Sequence, residues 1–135
     1  ICIGGDLSGP VLGCIITVFG FSAFGAHLRN YLPVLAGVVL ACTFMTVDIS
    51  QPTMQIAAML VVGIAPIAGE FGIFAGVISG IVHVALVCCT GAFYGGLNLY
   101  NNGFSAGWVA LLMVPFFEGF KGHFRRKKKN QNKGI

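Results

Sequence analysis

Residues 69–90 read GEFGIFAGVISGIVHVALVCCT, an apolar run in which Glu70, at its very start, is the only carboxylate or fixed cation. At about 1.5 Å of rise per residue, about 20 residues cross the roughly 30 Å of hydrocarbon in a bilayer. The run is long enough to do so, and a soluble helix of this length would carry a charged face that is missing here. His83 is its one strongly polar interior residue, and Gly72, Gly76 and Gly80 recur at a spacing of four.

Four further apolar runs flank it. Residues 8–26 follow Gly4-Gly5-Asp6 and carry Pro10 in the opening turn; Asp and Ser ahead of a proline make a helix start. Residues 31–46 carry Pro33 near their start, residues 53–68 contain Pro66, and residues 104–120 close the apolar part of the chain. Polar punctuation separates them: His27 to Asn30, Asp48 to Pro52, and a loop expected over residues 91–103. By length, 8–26 and 69–90 span. The other three are a few residues short, which predicts tilted, broken or re-entrant segments. Irregular backbone at membrane depth persists only where protein or a water-filled cavity shelters it. Attention therefore falls on a break at Pro66–Glu70 and on the Asn-rich loop.

Composition agrees. Of 135 residues, 56% are hydrophobic and 9% charged, and the mean hydropathy is +0.88; a soluble domain carries about 25% charged residues. Arg29 is the only Lys or Arg before Lys121, and the acids are Asp6, Asp48, Glu70 and Glu118. Such a surface cannot be solvated by water. The several apolar runs and the lack of a basic start also exclude a lone secretory signal. The expected fold is an all-α membrane protein: a polytopic helical bundle of about five membrane elements over residues 1–120, then a basic tail over 121–135. The net charge of +4 arises from that tail, so no nucleic-acid partner is expected.

Orientation follows from the basic residues. Cytoplasmic loops attract Lys and Arg. With the tail inside and five crossings, Arg29 falls on the same side, the turn at Gly69-Glu70 also lies inside, and the loops at 47–52 and 91–103 lie outside. The tail itself is a polybasic anchor for anionic lipid headgroups.

Small residues four apart form a groove that lets another backbone approach. Gly5, Gly9 and Gly13, Gly72, Gly76 and Gly80, and Gly103 and Gly107 fit this spacing. Intramolecular packing accounts for them; a homo-oligomer is the sharper alternative. His83 extends the second set and should face protein, where it is either a hydrogen-bonded packing residue or a functional ionisable group. Glu70 is expected at a helix start, suited to the positive end of the dipole. The segment with Tyr94, Asn98, Tyr100, Asn101 and Asn102 reads either as an interfacial turn with aromatic anchors or as an unwound segment lining a polar path. The candidate path comprises Glu70, His83, Asn98, Tyr100, Asn101 and Asn102. Cys2, Cys14, Cys42, Cys88 and Cys89 lack metal-ligand spacing and read as small packing residues. No catalytic motif is present, so no enzyme, cofactor or metal is expected.

Two stretches carry a resemblance. One is Asp6-Leu7-Ser8-Gly9-Pro10 through Gly20 to Gly25, with Asn30 and Pro33 to Val38. The other joins Ala65-Pro66-Ile67-Ala68-Gly69-Glu70-Phe71-Gly72 to the run from Gly95 to Phe104. Together they resemble the bacterial multi-pass membrane family called domain of unknown function 1576. Members of that family are about twice this length and carry two related halves. The resemblance implies the second half of such a protein, with the N-terminal half as its partner, in a bacterial plasma (inner) membrane. It supplies no functional residues. A fainter similarity to urea transporters rests on the Ser-Gly helix start and the later Gly/Asn/Tyr-rich segment. The function expected is half of a small-solute transporter or channel, the alternative being a non-transporting membrane scaffold or assembly partner.

Overall fold

The computed structural model describes residues 9–95 and 98–131, with only the backbone described at 94, 98, 99 and 124–131. Asp6, Gly5 and Cys2, the side chains of Tyr94 and Asn98, and those of the tail beyond His123 therefore lie outside the described residues. Within them the chain is all helical: α1 (Gly9–Ala23), α2 (Leu28–Phe44), α3 (Pro52–Leu60), a 3₁₀ turn (Val61–Ile64), α4 (Ala65–Phe71), α5 (Ile73–Thr90), a second 3₁₀ turn (Gly91–Tyr94) and α6 (Asn98–Gln131).

Each stop has a local cause. After α1, Gly25 takes φ +93° while Ala26 N–H bonds to Phe21 O and Gly25 N–H to Ser22 O, the paired closure of a Schellman end. After α2 the same closure recurs, Val47 N–H to Cys42 O and Thr46 N–H to Thr43 O. There the left-handed position is filled by Thr46 at φ 52°, a β-branched residue where glycine is the unstrained choice. In the loop that follows, Asp48 Oδ1 accepts the Ser50 N–H at 2.8 Å, a turn of the Asx type. Pro52 then opens α3 at its first turn, where a missing N–H costs nothing.

α3, the 3₁₀ turn and α4 form one rod, Pro52–Phe71. It is apolar and, at 20 residues, long enough to cross a membrane, as are Ile73–Phe93 at 21 and Tyr100–His123 at 24. The 3₁₀ turn lies at the middle of its rod. Pro66 has no N–H to offer the Val62 carbonyl, and the Ala65 N–H bonds to it one residue early instead. The irregularity thus falls at Val61–Ile64, just before the Pro66–Glu70 break expected from sequence. The chain reverses at Gly72, at φ +95°.

Two expectations are corrected. The third and fifth apolar runs are full-length rods, because each helix continues into residues with polar or glycine character. α1 covers 15 described residues and α2 has 17; the residues before Gly9 lie outside the described ones. Glu70 is not at a helix start. It ends α4, before the Gly72 reversal that opens α5.

α2 and α5 make the most extensive contact in the bundle. They run parallel in register, with Pro33 and Val34 against Gly76 and with Gly37 against Gly80. The other small-residue sets do not pack this way: a Cβ on Gly9, Gly13, Gly103 or Gly107 would meet nothing within 4 Å. Val34, Val38, Ala41, Val61, Val84, Val87 and Val109 fill the main core, while Cys14, Ile56 and Leu60 form a smaller one between α1 and α3. Outward, Phe19, Phe24, Phe44, Phe74 and Phe93 are each 80% or more exposed. That exterior suits lipid and not water; the chain is a membrane protein.

The charges divide by end. Lys121 Nζ lies 2.6 Å from Glu70 Oε1 and 5.5 Å from the centre of the Phe71 ring. Asn30, beside Arg29 at the start of α2, packs against Gly69. Arg29, Glu70 and Lys121 therefore share one end of the bundle. Asp48 lies at the other, beyond the far end of α2.

Candidate functional site: a buried polar seam between α5 and α6

The Asn-rich segment is not a loop. Gly95, at φ +54°, makes the left-handed turn, and the chain is helical again from Asn98. Neither an interfacial turn nor an unwound segment describes residues 98–103. They are the first turns of α6, laid against the last turns of α5.

Helical spacing then decides what faces inward. Asn101 and Asn102 are 1% and 0% exposed, and Ser105, four residues after Asn101, is fully buried too. On α5, Ser79 and His83 are four apart and both fully buried. His83 stands at the centre of the Ile73–Phe93 rod, on the side of α5 that the Gly76–Gly80 spacing had indicated.

The seam has two parts. At the Thr90 end, Asn101 Nδ2 donates to Val87 O at 3.0 Å, and the Thr90 hydroxyl donates to Asn101 Oδ1. Thr90 Oγ1 also lies 2.6 Å from Leu86 O and 3.2 Å from Ser105 Oγ. Interhelical bonds of this kind are worth about 0.6 kcal/mol each in a membrane, so this part is helix glue. The deeper part is different. Asn102 is the polar neighbour of the His83 ring, yet neither His83 nitrogen reaches hydrogen-bond geometry with any described residue, nor does Ser79 Oγ. Leaving a buried polar group unsatisfied costs about 1–3 kcal/mol.

Of the residues singled out from sequence, His83, Asn101 and Asn102 come together. Tyr100 points outward at 67% exposure, and the Asn98 side chain lies outside the described residues. Glu70 is exposed and paired with Lys121 at the bundle's charged end, away from the seam. Ser79, Thr90 and Ser105 were missed. The signal that would have found Ser79 and Ser105 is the matched spacing of four in Ser79–His83 and Asn101–Ser105; Thr90 belongs to neither pair. Cys88 and Cys89 are both exposed and free, and no group of three or more metal-ligating side chains occurs among the described residues.

A shallow apolar cleft of about 380 Å³ opens at the Thr90 end, lined by Leu86, Thr90, Phe93, Phe104 and Trp108. Thr90 is thus shared between the cleft and the seam. A separate groove of about 410 Å³ runs between α1 and α6, where Thr17, Gly63, Gly103, Ala106, Gly107 and Ala110 leave room beside the helices.

The family model described as protein of unknown function (DUF1576) matches residues 1–119. No curated protein and no solved structure matches the chain. The fainter similarity to urea transporters gains no support from these comparisons, and the family match carries no division into halves.

Proposed function

Within the family of unknown function DUF1576, to which the chain belongs, we propose that this membrane protein moves a small solute along the seam between α5 and α6. The observation that carries this reading is the deep end of the seam. His83 and Ser79 are fully buried at mid-rod with no hydrogen-bond partner among the described residues. Packing accounts for Asn101, Thr90 and Ser105, whose bonds are mutual. It does not account for an imidazole held in hydrocarbon without such bonds. A solute or water that enters the seam would supply them.

In this reading the structure is an occluded state, and α6 must shift against α5 for the solute to pass. Gly72 and Gly95, at the two ends of the α5 rod, provide turns in which a rigid helix can pivot. The Arg29–Lys121 end faces the cytoplasm by the positive-inside rule, in a bacterial plasma membrane. The N-terminal half of the same protein completes the path. Five rods, an odd number, favour an inverted pairing of two halves.

The test is flux in liposomes carrying the purified full-length protein, across a panel of neutral and charged solutes. Transport of at least one solute, lost in Asn101→Leu with the protein still monodisperse, supports the proposal. Stable protein that passes nothing would reject it.

The groove between α1 and α6 favours a second reading, a scaffold that assembles through small-residue faces. Gly107→Leu would then break the assembly on native gels and leave no flux to lose.

A further inference from the structure

We propose that the seam selects a small, neutral, hydrogen-bonding solute of the polyol or carboxamide class and excludes ions. This rests on the transport reading above and adds the chemistry of what is carried.

The seam offers both hydrogen-bond donors and acceptors. Its polar groups are the hydroxyls of Ser79, Ser105 and the half-buried Thr90, the carboxamides of Asn101 and Asn102, and the His83 imidazole. Hydroxyls, carboxamides and a neutral imidazole each both donate and accept. A solute whose own groups donate and accept can exchange bonds with every one of them. A bare cation would use only the acceptors, and an anion only the donors.

The seam lacks carboxylates and fixed cations among the described side chains. Among the described side chains, Arg29, Asp48, Glu70, Glu118 and Lys121 are the carboxylates and fixed cations. Arg29 and Glu70 sit at helix ends, Asp48 in the loop after α2, and Glu118 and Lys121 near the His123 end of the apolar part of α6, away from Asn101 and Asn102. All but Lys121 are exposed, and Lys121 is bound to Glu70 at the charged end. Bringing an ion to mid-membrane without a counter-charge carries a desolvation penalty of several kcal/mol. A neutral solute loses only hydrogen bonds with water, and the seam can replace those.

The approach to the seam is apolar. The cleft at the Thr90 end is walled by Leu86, Phe93, Phe104 and Trp108, with the Thr90 hydroxyl as its link to the hydrogen-bonded chain. Apolar walls with one hydroxyl at the base accept a molecule with hydrocarbon faces and polar edges. They also impose a dewetting barrier on hydrated ions. From Thr90 to His83 is seven residues, about 10 Å along the helix, so the polar groups form a short series that a solute could follow.

The experiment uses proteoliposomes of the full-length protein in neutral lipid. Glycerol and acetamide entry is read by light scattering against protein-free vesicles, and potassium, chloride and acetate flux is read in parallel. The expected result is at least tenfold faster entry of glycerol or acetamide with no ion flux. His83→Gln, which keeps a donor and an acceptor, should retain most of that rate, and His83→Leu should lose it. If His83→Leu does not fold, Ser79→Ala replaces it, with a slowing of severalfold expected. Ion flux without neutral-solute flux would overturn the class while leaving transport in place. No flux of any kind would overturn both. Neutral-solute flux unchanged in Ser79→Ala and His83→Leu would remove the seam from the path.

Discussion

Gly37 and Gly80 meet where α2 packs along α5: a Cβ on either would stand 3.0 Å from the other's Cα and would overlap a backbone carbonyl oxygen, that of Val77 or Val34. Two backbones this close leave no room for a methyl group, and the obstacle is main chain, which cannot rotate aside. The closest approach lies one turn from His83, on the same helix. The packing that holds α5 therefore also fixes where the seam begins.

Gly80→Ala or Gly37→Ala should destabilise the bundle by about 1–3 kcal/mol, the usual cost of overpacking a close contact. Gly107→Ala should be neutral, because nothing lies within 4 Å of its added Cβ. Reversible unfolding in mixed detergent micelles would check the pair. Equal effects at both sites would show that the α2–α5 contact is not the tight one.

Thr46→Gly should stabilise the protein. Thr46 holds a left-handed backbone at φ 52° at an exposed helix end, which costs an L-residue about 1–2 kcal/mol. Glycine removes that strain but adds unfolded-state entropy, so a net gain of about 1 kcal/mol is expected. A fall in the unfolding midpoint would show that the Thr46 hydroxyl, which donates to the Met45 carbonyl, matters more than the strain.

The ion pair of Glu70 with Lys121 should couple weakly. Both side chains reach solvent, and exposed pairs give about 0–1 kcal/mol that salt screens. A double-mutant cycle with Glu70→Gln and Lys121→Met should return a value in that range at low salt and less at high salt. Solute flux should survive Glu70→Gln, since Glu70 lies outside the seam.

Asp48 gives the loop after α2 a pH dependence. The Ser50 N–H bonded to its carboxylate holds it below the ordinary 3.8. A depressed carboxyl contributes stability that is fully present above about 3.8 and is lost as pH falls through its lower folded value. The difference in unfolding midpoint between the native protein and Asp48→Ala should be constant near neutrality and shrink below about pH 4. A difference that grows on acidification would contradict the assignment.

How much of this could be read in the sequence depends on which contacts decide each element. The apolar run ending at Thr90 needed only its length and missing charges, so α5 was legible. The Gly76–Gly80 spacing also located the side of that helix on which His83 is buried. The start of α6 was not legible. Asn98, Asn101, Asn102 and Gly103 favour turns by local preference, but Asn101 spends its amide on the Val87 carbonyl of α5 and accepts from Thr90. That tertiary payoff keeps the segment helical, and no local signal reports it. Glu70 was misplaced for a similar reason. The reversal is set by the positive φ of Gly72, two residues later, and a Gly-Glu-Phe-Gly string does not reveal which glycine turns. Ser79, Thr90 and Ser105 escaped notice because lone hydroxyls in a membrane helix commonly bond to their own backbone, as Thr17 does to Gly13 O.

For transport along the seam, water and solute must reach its deep end, although Ser79 is fully buried in the state described. Ser79→Cys is nearly isosteric and, in an otherwise cysteine-free protein, offers one thiol at that depth. In sealed vesicles a membrane-impermeant methanethiosulfonate reagent should label it, and labelling should stop solute flux. A folded, transport-active protein whose Cys-substituted position 79 stays unlabelled after long exposure would contradict the seam as the path.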